Sequence, residues 1–314
     1  MSKEKIVIAL GGNALQDAKG PATAEAQLDV VKRTCKYIAE IVKRGHEIAI
    51  VHGNGPQVGR ILLASETAKE TTPAMPFDVC GAMSQGYIGY HIQQGMKPAL
   101  AGIGRGDIPV VTLVTQMVVD KDDPGFKNPT KPIGPFYSEQ EAKEMEAKGY
   151  TMKEDAGRGF RRVVASPIPT EIYEIDSVNR LWDSTIVITC GGGGIPVIKN
   201  DNGELEGVAA VIDKDFAAEL LAEKTGADVL MILTEVDRVA INFNKPDQKD
   251  LAEMTVAEAE KYCEEGHFAP GSMLPKVQAA IKFAKANPGK KAIITSLYSA
   301  VDALDGKTGT VITL

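Results

Sequence analysis

The chain has 314 residues, 44% of them hydrophobic and 25% charged, with a net charge of −7. That length and composition suit one large α/β domain or two smaller ones and exclude wholesale disorder. The negative balance argues against a broad nucleic-acid surface, so an anionic ligand requires lysines gathered locally.

The first apolar run, over 5–10, reads as a strand and is too short for a secretory core or a membrane span. Leu28, Val31, Cys35, Ile38 and Val42 then recur at helical spacing, and Gly45 stands at the helix stop. A strand over 46–51 follows, and Pro56 opens a helix after Gly53-Asn54-Gly55. Asp78 is expected to cap a helix running to Gln94, followed by one long β-branched strand over 109–119. Such alternation predicts an α/β fold with a mainly parallel sheet covered on both faces.

The pattern breaks at Asp120. Residues 120–135 mix charges with prolines and glycines, 138–148 read as a charged helix, and a hairpin is expected near Gly157. A compact domain rarely holds so long a loop without structure of its own. Residues 119–165 therefore read as a small protruding subdomain inserted into a single domain spanning 1–314. Alternation resumes with a strand over 185–190 and a hairpin that begins at 195–199 and turns at Asn202-Gly203. A helix over 213–224 and a strand over 228–233 follow, then helices over 255–265 and 272–286. Strands over 292–295 and 310–313 close the sheet.

Three glycine-rich turns each follow an apolar run: Gly11-Gly12, Gly53-Asn54-Gly55 and Gly191–Gly194. Glycine lets backbone N–H groups approach a phosphate closely, and in open α/β sheets that happens at the carboxyl ends of the strands. Two weaker motifs compete. Gly306-Lys307-Thr308 ends like a P-loop, but Val301 stands where the first glycine belongs and a strand follows in place of a helix. Gly53-x-Gly55-x-x-x-Gly59 resembles a dinucleotide fingerprint with altered spacing, which keeps an NAD(P)-binding oxidoreductase as an alternative.

Three lysines stand in suggestive places. Lys214, in Asp213-Lys214-Asp215, lies at a helix start where Asp213 can cap. Lys276 opens a helix after Pro270-Gly271. Lys131 sits in a loop stiffened by Pro129, Pro132 and Pro135. The histidines His46, His52, His91 and His267 show no metal spacing, and His52 reads as a strand-end residue beside Gly53. Cys35, Cys80, Cys190 and Cys263 are far apart, as in a reduced, cytoplasmic protein.

Together Gly11-Gly12-Asn13, His52-Gly53-Asn54-Gly55-Pro56-Gln57, Gly191–Gly194, Asp213-Lys214-Asp215 and Thr234-x-Val236-Asp237 resemble the amino acid kinase family. The match covers nearly the whole chain. The run from Asn128 to Pro135, that from Cys190 to Pro196 and that from His267 to Lys276 resemble the branch whose acceptor is carbamate. The resemblance implies a three-layer αβα sandwich, a homodimer and reversible transfer between ATP and carbamate, giving ADP and carbamoyl phosphate. It implies Mg²⁺ carried by the nucleotide, with no resident metal, and a flux towards ATP in arginine and carbamoyl phosphate breakdown.

It further implies that Gly11, Gly12, Asn13, Gly53, Asn54 and Gly55 face the phosphoryl group and its acceptor, with Gly192 and Gly193 alongside. Lys131, Lys214 and Lys276 would supply charge, Asp215 would orient the lysines, and 119–165 would act as a lid. Thr234, Asp237, Phe243, Met273 and Lys276 would line the nucleotide site. Glu235 stands where the resemblance leads one to expect glycine. The same fold with an acyl amino acid or UMP as acceptor, and a catalytically silent nucleotide sensor, are the remaining alternatives. Neither a nucleic acid nor a membrane is expected as a partner.

Overall fold

A computed structural model describes residues 3–17, 19–154 and 159–314. The helices are α1 (Ala24–Lys43), α2 (Gly55–Thr67), α3 (Phe77–Gly102), α4 (Pro124–Lys127), α5 (Glu139–Ala147), α6 (Ile175–Trp182), α7 (Lys214–Thr225), α8 (Val256–Glu264), α9 (Met273–Ala286) and α10 (Ala300–Leu304). The main sheet contains β1 (Lys5–Leu10), β2 (Glu47–His52), β3 (Val110–Thr112), β9 (Ile186–Ile188), β12 (Val229–Thr234), β15 (Glu253–Thr255), β16 (Lys291–Ser296) and β17 (Thr310–Thr313). A second sheet holds β4 (Gln116–Val119), β8 (Pro169–Ile172), β10 (Ile195–Lys199) and β11 (Leu205–Gly207). A third holds β5 (Lys131–Tyr137), β6 (Met152–Glu154) and β7 (Phe160–Val164), and a two-stranded ribbon pairs β13 (Val239–Ile241) with β14 (Lys249–Leu251).

Among the described residues the main sheet runs β15-β17-β16-β12-β1-β2-β9-β3, parallel throughout except at β16–β17. Side chains alternate across it, as strand geometry requires. Ile6, Ile8 and Leu10 face a core shared with α1, α3 and α10, whereas Val7 and Ala9 face one shared with α6, α7, α8 and α9. The result is the three-layer αβα sandwich. Its second face is lined by alanines, Ala49 in the sheet and Ala217, Ala218, Ala279 and Ala280 in α7 and α9. Small residues bring α7 and α9 close to each other and to the strands.

Local signals explain most boundaries. Thr23 caps α1, Asp213 caps α7, and Ser138 and Thr255 form capping boxes on α5 and α8. Gly45 and Gly226 follow helix ends at φ 92° and 68°, a conformation that favours glycine.

Lys131, expected in a proline-stiffened loop, instead begins strand β5, and two further expectations fail. Pro76, not Asp78, precedes α3, and that helix runs past Gln94 and through Pro98 to Gly102. Its buried Ile88, Ile92, Met96 and Leu100 continue the apolar stripe, so packing overrides the proline. The expected strand over 109–119 splits into β3 and β4, in different sheets. Between them the Gln85 amide accepts from Thr115 N at 2.8 Å and donates to Thr115 O at 3.2 Å. A buried side chain thus takes the backbone groups that a continuous strand would have paired.

Residues 131–164 form the antiparallel sheet β5-β7-β6, with α5 against it. Ile133 and Val164 pack with Val58 and Leu62 of α2 and with Phe77 and Cys80 of α3. Strands β6 and β7 pair antiparallel, while the turn expected near Gly157 lies outside the described residues. Among the described residues no helix is long and apolar enough to cross a membrane.

Candidate active site

Because β1, β2, β9, β12 and β16 are parallel neighbours, their carboxyl ends share one edge of the sheet. Gly11, Gly53, the Cys190–Gly194 turn, Glu235 and Leu297 follow those ends. In open α/β sheets the ligand crevice lies at such an edge.

Two glycine turns lie side by side. Gly53 N donates to Leu10 O at 3.1 Å, which fastens the turn after β2 to the end of β1. A Cβ on Gly53 would touch the Lys214 stem at 3.6 Å, so the lysine lies directly over that turn. Asn54 Nδ2 donates to Ser84 Oγ at 2.9 Å, which orients its amide from α3.

The third turn has a packing rationale of its own. A Cβ would meet His52 Nε2 at 2.5 Å from Gly191, Asn54 Nδ2 at 2.2 Å from Gly192 and Ile212 O at 2.1 Å from Gly193. Gly192 and Gly193 also have φ 68° and 92°. The turn is therefore a crossing point where β2, α3 and the entry to α7 converge without room for side chains.

The cations form one connected network. Lys214 Nζ lies 2.5 Å from Asp215 Oδ1, and Lys276 Nζ lies 2.9 Å from Asp215 Oδ2. Asp215 is only 2% exposed, yet both its oxygens are occupied. Lys131, the first residue of β5, reaches Asp213 Oδ2 at 3.0 Å, and the other oxygen of Asp213 caps α7 through Asp215 N at 3.0 Å. Three lysines from three elements thus converge on the first turn of α7.

Burial pushes the Asp215 carboxyl up, but Lys214 and Lys276 outweigh it and hold the group below its ordinary range. Burial pulls the Lys214 ammonium below its ordinary value, with Lys276 adding repulsion and Asp215 opposing. His52 is a different matter. Its ring is fully buried, Nδ1 contacts Gly53 O at 2.8 Å, Nε2 has no partner among the described residues, and burial lowers its pKa to about 4. It stays neutral near pH 7 and acts as packing beneath the turn.

Two cavities adjoin this network. One, of about 490 Å³, is lined by Gly11, Gly12, Asn13, Ser272, Lys276 and Ser296 among others. The second, of about 440 Å³, is lined by Val236, Ala240, Phe243, Phe268, Ala269 and Met273 among others. Thr234, Glu235 and Ser272 belong to both and form the passage between them. A chamber reached by Lys276 and the glycine turn, joined to one that holds Phe243, Phe268 and Met273, suits a phosphate chain attached to a base. The exposed Glu235 side chain accepts a hydrogen bond from the Asn13 amide across that passage.

Asp237 departs from its expected place. Its Oδ1 accepts from Ser296 Oγ at 2.5 Å and Ser299 Oγ at 2.7 Å, and those bonds hold its carboxyl low. It lines neither cavity and instead ties the β12 turn to the end of β16. Sequence reasoning missed Ser272, Ser296 and Tyr298 as lining residues, and Asp213 as the partner of Lys131. The Asp213 cap was legible, but its second contact depends on where β5 lies. Among the described residues no three His, Cys, Asp or Glu side chains gather to hold a metal ion, and Asp213 and Asp215 are committed to lysines.

The amino acid kinase family profile matches residues 4–296. A carbamate kinase of Clostridium perfringens is 58% identical over 312 residues, covering 98% of both chains. One from Pyrococcus horikoshii is 54% identical over 314 residues, covering 99% of both. Among solved structures, a carbamate kinase of Giardia lamblia bound to AMP-PNP superposes with a TM-score of 0.94 at 47% identity, covering 99% of each chain.

Proposed function

The chain belongs to the amino acid kinase family, and from that premise we propose that it transfers a phosphoryl group reversibly between ATP and carbamate. The observation that carries the reading is the Lys131–Asp213 and Lys214–Asp215–Lys276 network set against the Gly11 and Gly53 turns. Phosphoryl transfer asks a protein for positioning and charge neutralisation more than for covalent chemistry.

A carbamate oxygen attacks the γ-phosphorus, and the bond from that phosphorus to the β–γ bridging oxygen breaks. ADP leaves and carbamoyl phosphate forms with no net proton transfer. The nucleophile is already an anion, so the neutral, buried His52 is not needed as a base. Lys214 and Lys276 offset the repulsion between two anionic reactants, and backbone N–H groups at Gly11-Gly12 and Gly53–Gly55 hold the group in flight. Gly192 and Gly193 wall the acceptor side. Mg²⁺ arrives on the nucleotide as part of the substrate.

The base occupies the cavity of Phe243 and Met273, with Thr234 at its neck and the phosphates towards Lys276. Asp237 supports that neck from behind through Ser296 and Ser299. Residues 119–165 act as an inserted lid that carries Lys131 to the acceptor and keeps water from a labile mixed anhydride. The carbamate kinase names of the relatives favour carbamate over an acyl amino acid or UMP, and over a nicotinamide cofactor.

The working form is a homodimer. Val79, Met83 and Tyr90 form one outward stripe of α3, exposed by 36%, 51% and 57%, with Gly86 between them. Light scattering should give twice the 33.5 kDa chain mass, and a monomer at micromolar concentration would refute this. Four free cysteines, with burial raising Cys35 and Cys190 to about 12, fit a reducing, cytoplasmic setting. The deciding assay supplies ADP, carbamoyl phosphate and Mg²⁺ and reads ATP. ATP formation is expected; no turnover in either direction overturns the reading.

A further inference from the structure

Helices α7 and α9 present the site's cations from their first turns, Lys214 with Asp215 on one and Lys276 on the other. Their mutual placement therefore sets the geometry of the network. Much of the surface they offer each other is alanine: Ala218 and Ala222 on α7, Ala279 and Ala280 on α9, all without exposed surface. Methyl groups permit close approach but give little resistance to sliding along the helix axes.

Two polar ties cross this seam. One is the Asp215–Lys276 pair within the site. The other lies one turn further along α7, where Lys282 Nζ contacts Glu219 Oε2 at 2.6 Å. Glu219 has no exposed surface, and its Oε1 has no partner among the described residues, although Lys282 is 40% exposed. Glu219 lines neither cavity of the site. A buried carboxylate is a poor source of stability compared with a packed apolar side chain, and its best-attested use is to specify register.

We propose that the Glu219–Lys282 pair is a positioning device for phosphoryl transfer, setting the register of α9 on α7 and thereby the seating of Lys276 against Asp215 and Lys214. The inference rests on the phosphotransferase reading. α9 is also packed against α8, β12, β16 and β17, and two side-chain ties along the α7 seam fix its axial offset more tightly than the site pair alone does.

Burial pushes the Glu219 carboxyl up to about 7, against the pull of Lys282. The other charges acting on it are Glu223 and Lys224, further along α7. Protonation removes the attraction to Lys282, so the tie weakens on the acid side of neutrality.

The test compares wild type with Glu219→Gln and Lys282→Met in ATP formation from ADP and carbamoyl phosphate, across pH 6–9, alongside thermal melting. Both variants should lower kcat about tenfold at pH 8, because small misplacements of reacting groups are costly. KM for ADP should change less than about twofold, since uniform binding is untouched. The part of the acid limb near pH 7 should vanish in Glu219→Gln, and its melting temperature at pH 8 should not fall. Lys282→Met, at a half-exposed position, keeps the test alive if Glu219→Gln does not fold. A folded variant with wild-type kcat and an unchanged pH profile overturns the proposal. An inactive wild type overturns the functional reading instead.

Discussion

Asp215→Asn tests the network where it is most concentrated. One carboxylate, 2% exposed, holds two ammonium groups at 2.5 and 2.9 Å. The substitution keeps the volume and removes the charge, leaving two buried cations facing each other. Breaking a buried pair from one side costs about 3–5 kcal/mol. Unfolding entropy of about 2.1 cal/mol/K per residue, over 314 residues, is about 0.66 kcal/mol/K, so the melting temperature should fall by about 5–8 °C.

The rate should suffer separately. Lys214 already titrates below its ordinary value through burial and the repulsion of Lys276. Without Asp215 it moves lower still, which favours the neutral amine. Losing one preorganised donor to transferring charge costs about 10²–10³ in kcat. Lower pH restores the ammonium, so the variant's optimum should move towards acid. The assay is coupled ATP formation over pH 6–9 with melting curves on the same samples. A variant melting like wild type, with kcat within about threefold and an unmoved optimum, would refute the electrostatic argument.

Three further outcomes are expected. Lys131→Ala should cost under about 1 kcal/mol of stability, since its partly exposed pair with Asp213 is worth little, yet lower kcat about 10²-fold; equal kcat would remove Lys131 from the reaction. Gly193→Ala places a methyl 2.1 Å from Ile212 O at φ 92° and should abolish soluble expression. Gly59→Ala, with open space around its Cβ inside α2, should be neutral or stabilising by up to about 1 kcal/mol. Wild-type-like folding of Gly193→Ala would contradict the packing account.

Stability against pH offers another check. Burial lowers His52 from 6.5 to about 4, so its contribution is complete above pH 6.5 and is lost as pH falls towards 4. Glu219 runs the other way: raised from 4.5 to about 7, its contribution is complete below pH 4.5 and is lost as pH rises to 7. Each shift is worth about 3 kcal/mol, so the two slopes nearly cancel between them. Urea midpoints should therefore rise with pH more steeply in Glu219→Gln than in wild type. His52→Gln should tilt the opposite way. Parallel slopes in all three proteins would refute both assignments.

The sequence by itself determined the alternation of strands and helices, the cap at Asp213, the glycine turns and the family resemblance. These are short-range signals: a cap or turn is set by residues within a few positions of it, and apolar periodicity marks which face is buried. It misjudged 109–119 and α3, where Gln85 and a continuing apolar stripe outweigh local propensity. Only the tertiary structure decided that Lys131 meets Asp213 across 82 positions, that Lys276 meets Asp215 across 61, and that Glu219 is sealed against Lys282. It likewise turned Asp237 from the nucleotide cavity to Ser296 and Ser299, and gave Gly191–Gly193 a packing reason beside their exposed counterparts. A carboxylate's partner is whichever cation the folded chain brings within about 4 Å, and no local pattern encodes that distance.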